Sequence, residues 1–326
     1  MLKAIFPFRG NVNRQRGDKK NINMKKTLIT ALTLILIIIS VHAQTPLWQG
    51  KGRIAISSDG NEHDDDDWAA TPLSLALLAA AGLQDNVVLY TYSDHIWGSN
   101  QSHPTSSTGL NSYEHMRESA LGGQKWFGFD KTKFICAVDN AEVAYNAMRD
   151  VINESTAENP LIIIAAGPMQ VVGEAISRAD VDKRRFVSLV SHSEWNNWHS
   201  DKHGKSEWDA HSGWTFQEIK DNFSNEKGGN LKCIQITDQN NGVDYDGLQA
   251  SIEKFDWIKT SKARYNPAYQ LGAWDWLYSR QETCIKENGK NFDPSDAGMI
   301  VFLLTGIEKT DPEMAREIME NPKPKK

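Results

Sequence analysis

Short runs of β-branched and apolar residues alternate along this chain with stretches that carry apolar residues at helical spacing. The runs are RIAISS from Arg53, NVVLYTY from Asn86, PLIIIAAG from Pro160, RFVSLVSH from Arg185 and LKCIQIT from Leu231. Near-continuous hydrophobicity over so few residues is the pattern of a strand buried on both faces. Between them lie WAATPLSLALLAAAG, NAEVAYNAMRDVINEST and MQVVGEAISRADV, which read as helices. Pro72 is expected in the first turn of its helix and Gly82 just past the end. The predicted fold is therefore α/β, a doubly wound and mostly parallel sheet covered on both faces. From Ala263 the chain reads as a helical C-terminal region, with Ser295 or Asp296 capping the helix that carries Met299 to Leu304, and residues 321–326 as a disordered tail.

In such a sheet, ligands bind beyond the carboxyl ends of the strands. The residues following the predicted strands are Asp59, then Asp94 and His95, then Gly167, then His192 with Trp195 and Asn196, then Asp238 and Asn240. Asn196 suits sugar hydroxyls because an amide both donates and accepts, and Trp195 offers a flat apolar face. Asp94 and His192 are placed at the same site as substrate contacts.

The first 43 residues stand apart. Met24-Lys25-Lys26 precedes an apolar run from Leu28 to Val41 and a small-x-small pattern, Val41-His42-Ala43. This reads as a signal peptide over residues 24–43, with residues 1–23 as upstream sequence and a single domain over residues 44–320. The expected location is secreted or periplasmic, with no stable membrane anchor after cleavage. The whole chain has 36 Lys/Arg and 42 Asp/Glu; the first 43 residues hold 8 and 1 of these, so the remainder carries a net charge of −13. That balance disfavours nucleic acid as a partner and suits neutral sugars and divalent cations. A homo-oligomer is compatible with it. Three widely spaced cysteines, Cys136, Cys233 and Cys284, form neither a disulfide framework nor a zinc pattern.

The first predicted strand runs into DGNEHDDDD, Asp59 to Asp67. Crowded carboxylates in a partly buried turn repel one another, and a calcium ion removes that cost by taking six to eight oxygen ligands. The spacing is not that of an EF-hand, whose loop needs Asp or Asn at its fifth position and Gly at its sixth; from Asp59 these are His63 and Asp64. The turn also lacks a P-loop, and no Lys or Arg lies between Ser57 and Gly82, which counts against a metal-dependent phosphohydrolase.

An apolar strand, an Asp-rich turn ending in paired aspartates and a helix of small residues together resemble the nucleoside hydrolases, whose signature is Asp-x-Asp-Pro-Gly-x-Asp-Asp. LIIIAAGPMQVVGEAI is similar to that family's strand followed by Thr-Gly-Pro, and FDPSDAGMIVFLLTG to its late aspartate segment. A closer likeness is to secreted nucleoside-hydrolase-like proteins with a Gly-Asn-Glu turn, some of them linked with polysaccharide use. The resemblance spans about Arg53 to Gly306 and implies a Rossmann-like core and a Ca2+ cofactor. It implies hydrolysis of an N- or O-glycosidic bond by a metal-bound water, with a carboxylate as general base. The substrate would be a small-molecule glycoside, a nucleoside or an oligosaccharide. In one register Asp67 is the metal ligand, Asp66 contacts both metal and sugar, and Glu62 takes the base position. In the other the pair is Asp65 and Asp66, and Asn61 falls at the base position, where its amide cannot take a proton and would instead contact substrate. Asp59 is the alternative base. Ala166 would offer its backbone carbonyl and Asp296 its carboxylate to the metal. Ser295 stands where many members carry a histidine that helps the leaving group. A non-catalytic, calcium-containing glycan-binding protein is the alternative to an enzyme.

Overall fold

The computed structural model describes residues 45–61, 65–96, 109–198, 213–240, 247–288 and 293–325. The leader reading and Glu62 lie outside these residues. Among them are six strands: β1 (Arg53–Ser58), β2 (Val87–Tyr92), β3 (Lys133–Cys136), β4 (Leu161–Ala166), β5 (Val187–Ser191) and β6 (Lys232–Gln235). They form one sheet in the order β3-β2-β1-β4-β5-β6, with every pairing parallel. The strand order reverses between β1 and β4, which pair over their whole length from Arg53↔Leu161 to Ser58↔Ala166. The fold is thus the doubly wound α/β arrangement with a helical C-terminal region.

Alternation along the strands feeds two cores. Ile54, Ile56, Ile162 and Ile164 pack to one face, and Ala55, Leu161, Ile163 and Leu189 to the other. The first face receives α1 (Asp67–Ala80) and α2 (Ser112–Phe127). The second receives α3 (Ala141–Asn153) and α4 (Gln170–Arg178), then, after the short α5 (Val181–Arg184) and α6 (Glu194–Trp198), α7 (Phe216–Phe223). The C-terminal helices α8 (Trp257–Thr260), α9 (Ala273–Asn288), α10 (Ala297–Thr305) and α11 (Pro312–Glu320) add to the first face.

All 14 residues of α1 are buried, which explains why its sequence carries so little polarity after Asp67. Gly82 ends it in the left-handed conformation at φ 72°, and its N–H and that of Leu83 reach back to Ala79 and Leu78 at 2.9 and 3.0 Å. Pro72 is not in the first turn but inside the helix. Proline cannot donate to the carbonyl four residues back, here Trp68. The Ser119 hydroxyl of α2 donates to that carbonyl at 2.7 Å instead.

Three further expectations are corrected. The stretch from Asn266 to Gly272 is not helical; a 3-10 turn (Lys262–Tyr265) and this loop precede α9. Asp296 occupies the N-cap position of α10 but makes no side-chain cap bond, because its backbone is helical at φ −59°, ψ −28° and its carboxylate turns elsewhere. Residues 321–325 are placed on the fold: the Lys323 N–H donates to the Ala80 carbonyl at 2.7 Å, filling an open acceptor at the end of α1, and Lys325 pairs with Asp85 at 3.2 Å. Among the described residues no helix is long and apolar enough to cross a membrane.

Candidate functional site

The ends of β1, β4 and β5, with the starts of α1 and α10, enclose a cavity of about 230 Å3 at the point where the strand order reverses. Its lining includes the acids Asp59, Asp66, Asp67 and Asp296 together with His192, Ser193, Trp195, Asn196 and Asn240. Asp59, Asp67 and Asp296 each bring one carboxylate oxygen to within 4.8 Å of the others. Asp59 and Asp67 are each 3% exposed. Aspartates held this close and this deep favour a shared cation, since no Lys or Arg is among the described lining residues.

The local chain explains each placement. Asp59 follows β1, and its N–H donates to the Ala166 carbonyl at 3.1 Å. That bond continues the β1–β4 pairing and occupies one lone pair of the carbonyl expected to face a metal. Gly167 follows with φ 125°, and a Cβ there would lie 2.6 Å from the Asp59 Cγ, so the absence of a side chain makes room for the carboxylate. Asp66 and Asp67 sit at the N-cap and first residue of α1, and Asp296 at the N-cap of α10. Both helix N-termini therefore bring partial positive charge to the acidic side of the cavity. Asp67 is aimed by a chain of buried hydroxyls. Tyr90 donates to Thr71 at 2.9 Å, Thr71 and Ser58 lie 3.1 Å apart, and Ser58 donates to Asp67 Oδ1 at 3.1 Å. The turn itself is pinned by the Trp68 indole N–H on the Gly60 carbonyl at 2.8 Å and by the Cys284 thiol on the Asp65 carbonyl at 3.2 Å.

His192 closes the site from β5. Its Nε2 lies 2.5 Å from Asp296 Oδ1, and its Nδ1 accepts the Gln239 N–H at 3.2 Å with Asp238 at 3.4 Å. Burial lowers the pKa of this imidazole, but the carboxylates of Asp238 and Asp296 outweigh burial and raise it to about 9. The Gln239 N–H pulls the other way, toward a bare Nδ1. A carboxylate only accepts, so Nε2 carries a proton in either form. Ser193 follows with φ 70°, a strained backbone for a non-glycine residue, and turns the chain directly from β5 into α6. In α6 the Asn196 Nδ2 donates to the His192 carbonyl at 3.0 Å, while its Oδ1 is buried and has no partner among the described residues. Trp195 lies at the cavity rim, 36% exposed.

Two residues expected to touch substrate do other work. Asn61 is fully buried, donating to the His95 carbonyl at 3.0 Å and accepting the His95 N–H at 3.2 Å, so it fastens the turn to the end of β2. Asp94 is absent from the cavity lining. Its Oδ2 accepts the hydroxyls of Ser57 and of Thr91, the latter at 2.8 Å, on the opposite face of the sheet end from Asp67. Burial pushes its pKa up to about 7, with those hydrogen bonds partly opposing. Asp65 contributes its carbonyl and a 3.3 Å bond from Ser112 rather than a carboxylate in the acidic cluster. Ser58, Thr71 and Gln239 escaped the sequence reading, since nothing in their spacing announces a role.

Fold and site together define a doubly wound, all-parallel α/β protein with an acidic cavity at its switch point. No protein-family model matches the chain. It is 30% identical over 271 residues to Uncharacterized protein P22 of Formosa agariphila, an overlap covering 81% of this chain and 87% of that protein. The chain belongs to the same family as that protein.

Proposed function

We propose that this protein is an exported, calcium-dependent glycosyl hydrolase that cleaves an N- or O-glycosidic bond of a small glycoside, nucleoside or oligosaccharide. The observation that carries the reading is the meeting of Asp59 and Asp67, from one turn, with Asp296, from the far end of the chain, within 4.8 Å. The likeness of the acidic turn and the late aspartate segment to the nucleoside hydrolases supports it. Three carboxylates are hard oxygen donors, which suit Ca2+ or Mg2+ over metals that seek sulfur or imidazole. Ca2+ is the better match for an irregular site with further oxygens nearby at Asp66 and Asn196.

In this reading Asp67 and Asp296 hold the cation, and Asp59, beside Gly167, serves as the general base that takes the proton of the attacking water. The cation, when bound, supplies Lewis acidity and an anchor for hydroxyl groups. Asp66 and the amides of Asn196 and Asn240 bind the sugar, and the Trp195 face covers it at the rim. A cavity of about 230 Å3 fits a group of single-sugar size and not a long glycan at full depth. The second reading, a glycan-binding protein without catalysis, is favoured by Ser295, which stands before Asp296 where the resembled family carries its leaving-group histidine.

Calcium titration by calorimetry tests the site. Asp67→Asn and Asp296→Asn are each expected to weaken binding at least tenfold, and heats equal to wild type would remove the cation from the proposal. A release assay over nucleosides and aryl or oligosaccharide glycosides then separates the two readings. Cleavage by wild type that Asp59→Asn abolishes supports the hydrolase; binding without cleavage supports the binder.

A further inference from the structure

We infer that His192 is a positioning residue: its Nε2–H holds Oδ1 of Asp296 and so leaves Oδ2 as the oxygen available to a cation. The inference rests on the cation site proposed above. The helix does not hold this carboxylate, because Asp296 sits at the N-cap with a helical backbone and makes no cap bond. The partner that fixes it is the His192 ring, 2.5 Å away and 104 residues distant in sequence.

The ring is itself locked. His192 is 1% exposed, and its Nδ1 receives the Gln239 N–H at 3.2 Å. Gln239 is fully buried, with its side chain donating to the carbonyls of Thr237 at 2.6 Å and Glu308 at 2.8 Å and accepting the Thr310 hydroxyl at 2.5 Å. Gly298, two residues after Asp296, packs so closely on Gln239 that a Cβ would lie 2.2 Å from its Oε1. The loop after β6, the imidazole and the first turn of α10 thus form one clamp whose free end is the Asp296 carboxylate. The His192 carbonyl also fixes the Asn196 amide, so the buried Asn196 Oδ1, which has no partner among the described residues, is oriented at the cavity by the same residue. Partners that orient a metal ligand commonly change metal affinity by about 10–100-fold when removed.

The two amide substitutions at this position separate a hydrogen bond from mere bulk. The glutamine amide nitrogen overlays Nε2 of histidine, whereas the asparagine amide overlays Nδ1. By calcium calorimetry, His192→Gln is expected to bind within about threefold of wild type and His192→Asn to bind at least tenfold more weakly. Asparagine binding as wild type does, or glutamine as weak as asparagine, would overturn the role. Asp67→Asn in the same titration distinguishes the two failures. If it leaves the calcium heat intact, the cation site itself is wrong; if it abolishes binding while His192→Asn does not, only the positioning role is wrong. Should the variants fold poorly, nitrogen-15 NMR of the wild-type imidazole decides. A protonated Nε2 with and without calcium is expected, and a bare Nε2 in either state would refute the clamp.

Discussion

Replacing Asp94 by asparagine is expected to make the stability curves of the two proteins cross as pH rises. The Asp94 carboxyl is fully buried at the end of β2, and burial lifts its pKa from 3.8 to about 7. The native state therefore keeps the proton to a higher pH than the unfolded chain does. Stability from this group is full below about pH 4 and is lost as pH climbs through about 7. At 1.36 kcal/mol per pH unit, the whole displacement is worth about 4 kcal/mol, a sizeable part of the roughly 5–15 kcal/mol of a typical domain. Asparagine cannot ionise, and its Oδ1 can still accept the Ser57 and Thr91 hydroxyls. Its NH2 would then take the place of Asp94 Oδ1, which has no partner among the described residues. A buried, unserved amide costs roughly 1–3 kcal/mol at every pH. Asp94→Asn should thus be less stable than wild type by about that much at pH 4 and more stable by about 1–3 kcal/mol at pH 8. Urea unfolding at fixed calcium from pH 4 to 8 reads this, provided that the slope against denaturant is unchanged. The difference between the two proteins is the quantity to plot, because other groups titrate in the same window: burial raises Asp293 to about 6. A difference that stays constant across the range would refute the argument.

Two further substitutions test how the site is framed. Gly167→Ala places a Cβ 2.6 Å from the Asp59 Cγ at a φ of 125°; the expected result is a stability loss of about 1–3 kcal/mol and a drop in kcat comparable to that of Asp59→Asn, measured by thermal unfolding and by the release assay. Ser119→Ala strips the Trp68 carbonyl of the donor that Pro72 cannot supply, costing about 1–3 kcal/mol in denaturant unfolding. Adding Pro72→Ala restores an N–H to that carbonyl and should recover most of the loss, whereas additive effects of the two changes would argue against the pairing.

The apolar runs made the central strands legible, because a strand covered on both faces needs hydrophobicity that no loop would carry. β3 was not legible. KFIC is only four residues long, lies at the sheet edge and opens on a lysine. α2 was missed as well. Its glycines, Gly122 and Gly123, look like helix breakers in the sequence, yet they face the Trp276 indole and the Leu75 side chain, where a Cβ would come within 2.3 and 2.4 Å. The aspartates of the site could be picked out because adjacent carboxylates before an apolar helix demand an explanation. Which of them converge could not, since that depends on how β1 leads into the turn. Asn61 and Asp94 show the limit of reasoning from strand ends. A polar residue there is as readily a brace for backbone or hydroxyls as a ligand contact. The link from His192 to Asp296 joins two side chains brought together by the order of β5 and β1 in the sheet and the docking of α10, and local spacing does not encode it.

The last two residues of β1 give the strand a further property. Ser57 and Ser58 point to opposite faces, the first to Asp94 and the second to Asp67. One peptide step, about 3.3 Å of strand, separates them. On one side lies an acid whose pKa burial raises to about 7, and on the other an acid at the edge of a polar cavity. The backbone between them works as a partition between two dielectric compartments. A ligand bound in the cavity, as proposed, would meet Asp67 and not Asp94, since the two acids lie on opposite faces of β1.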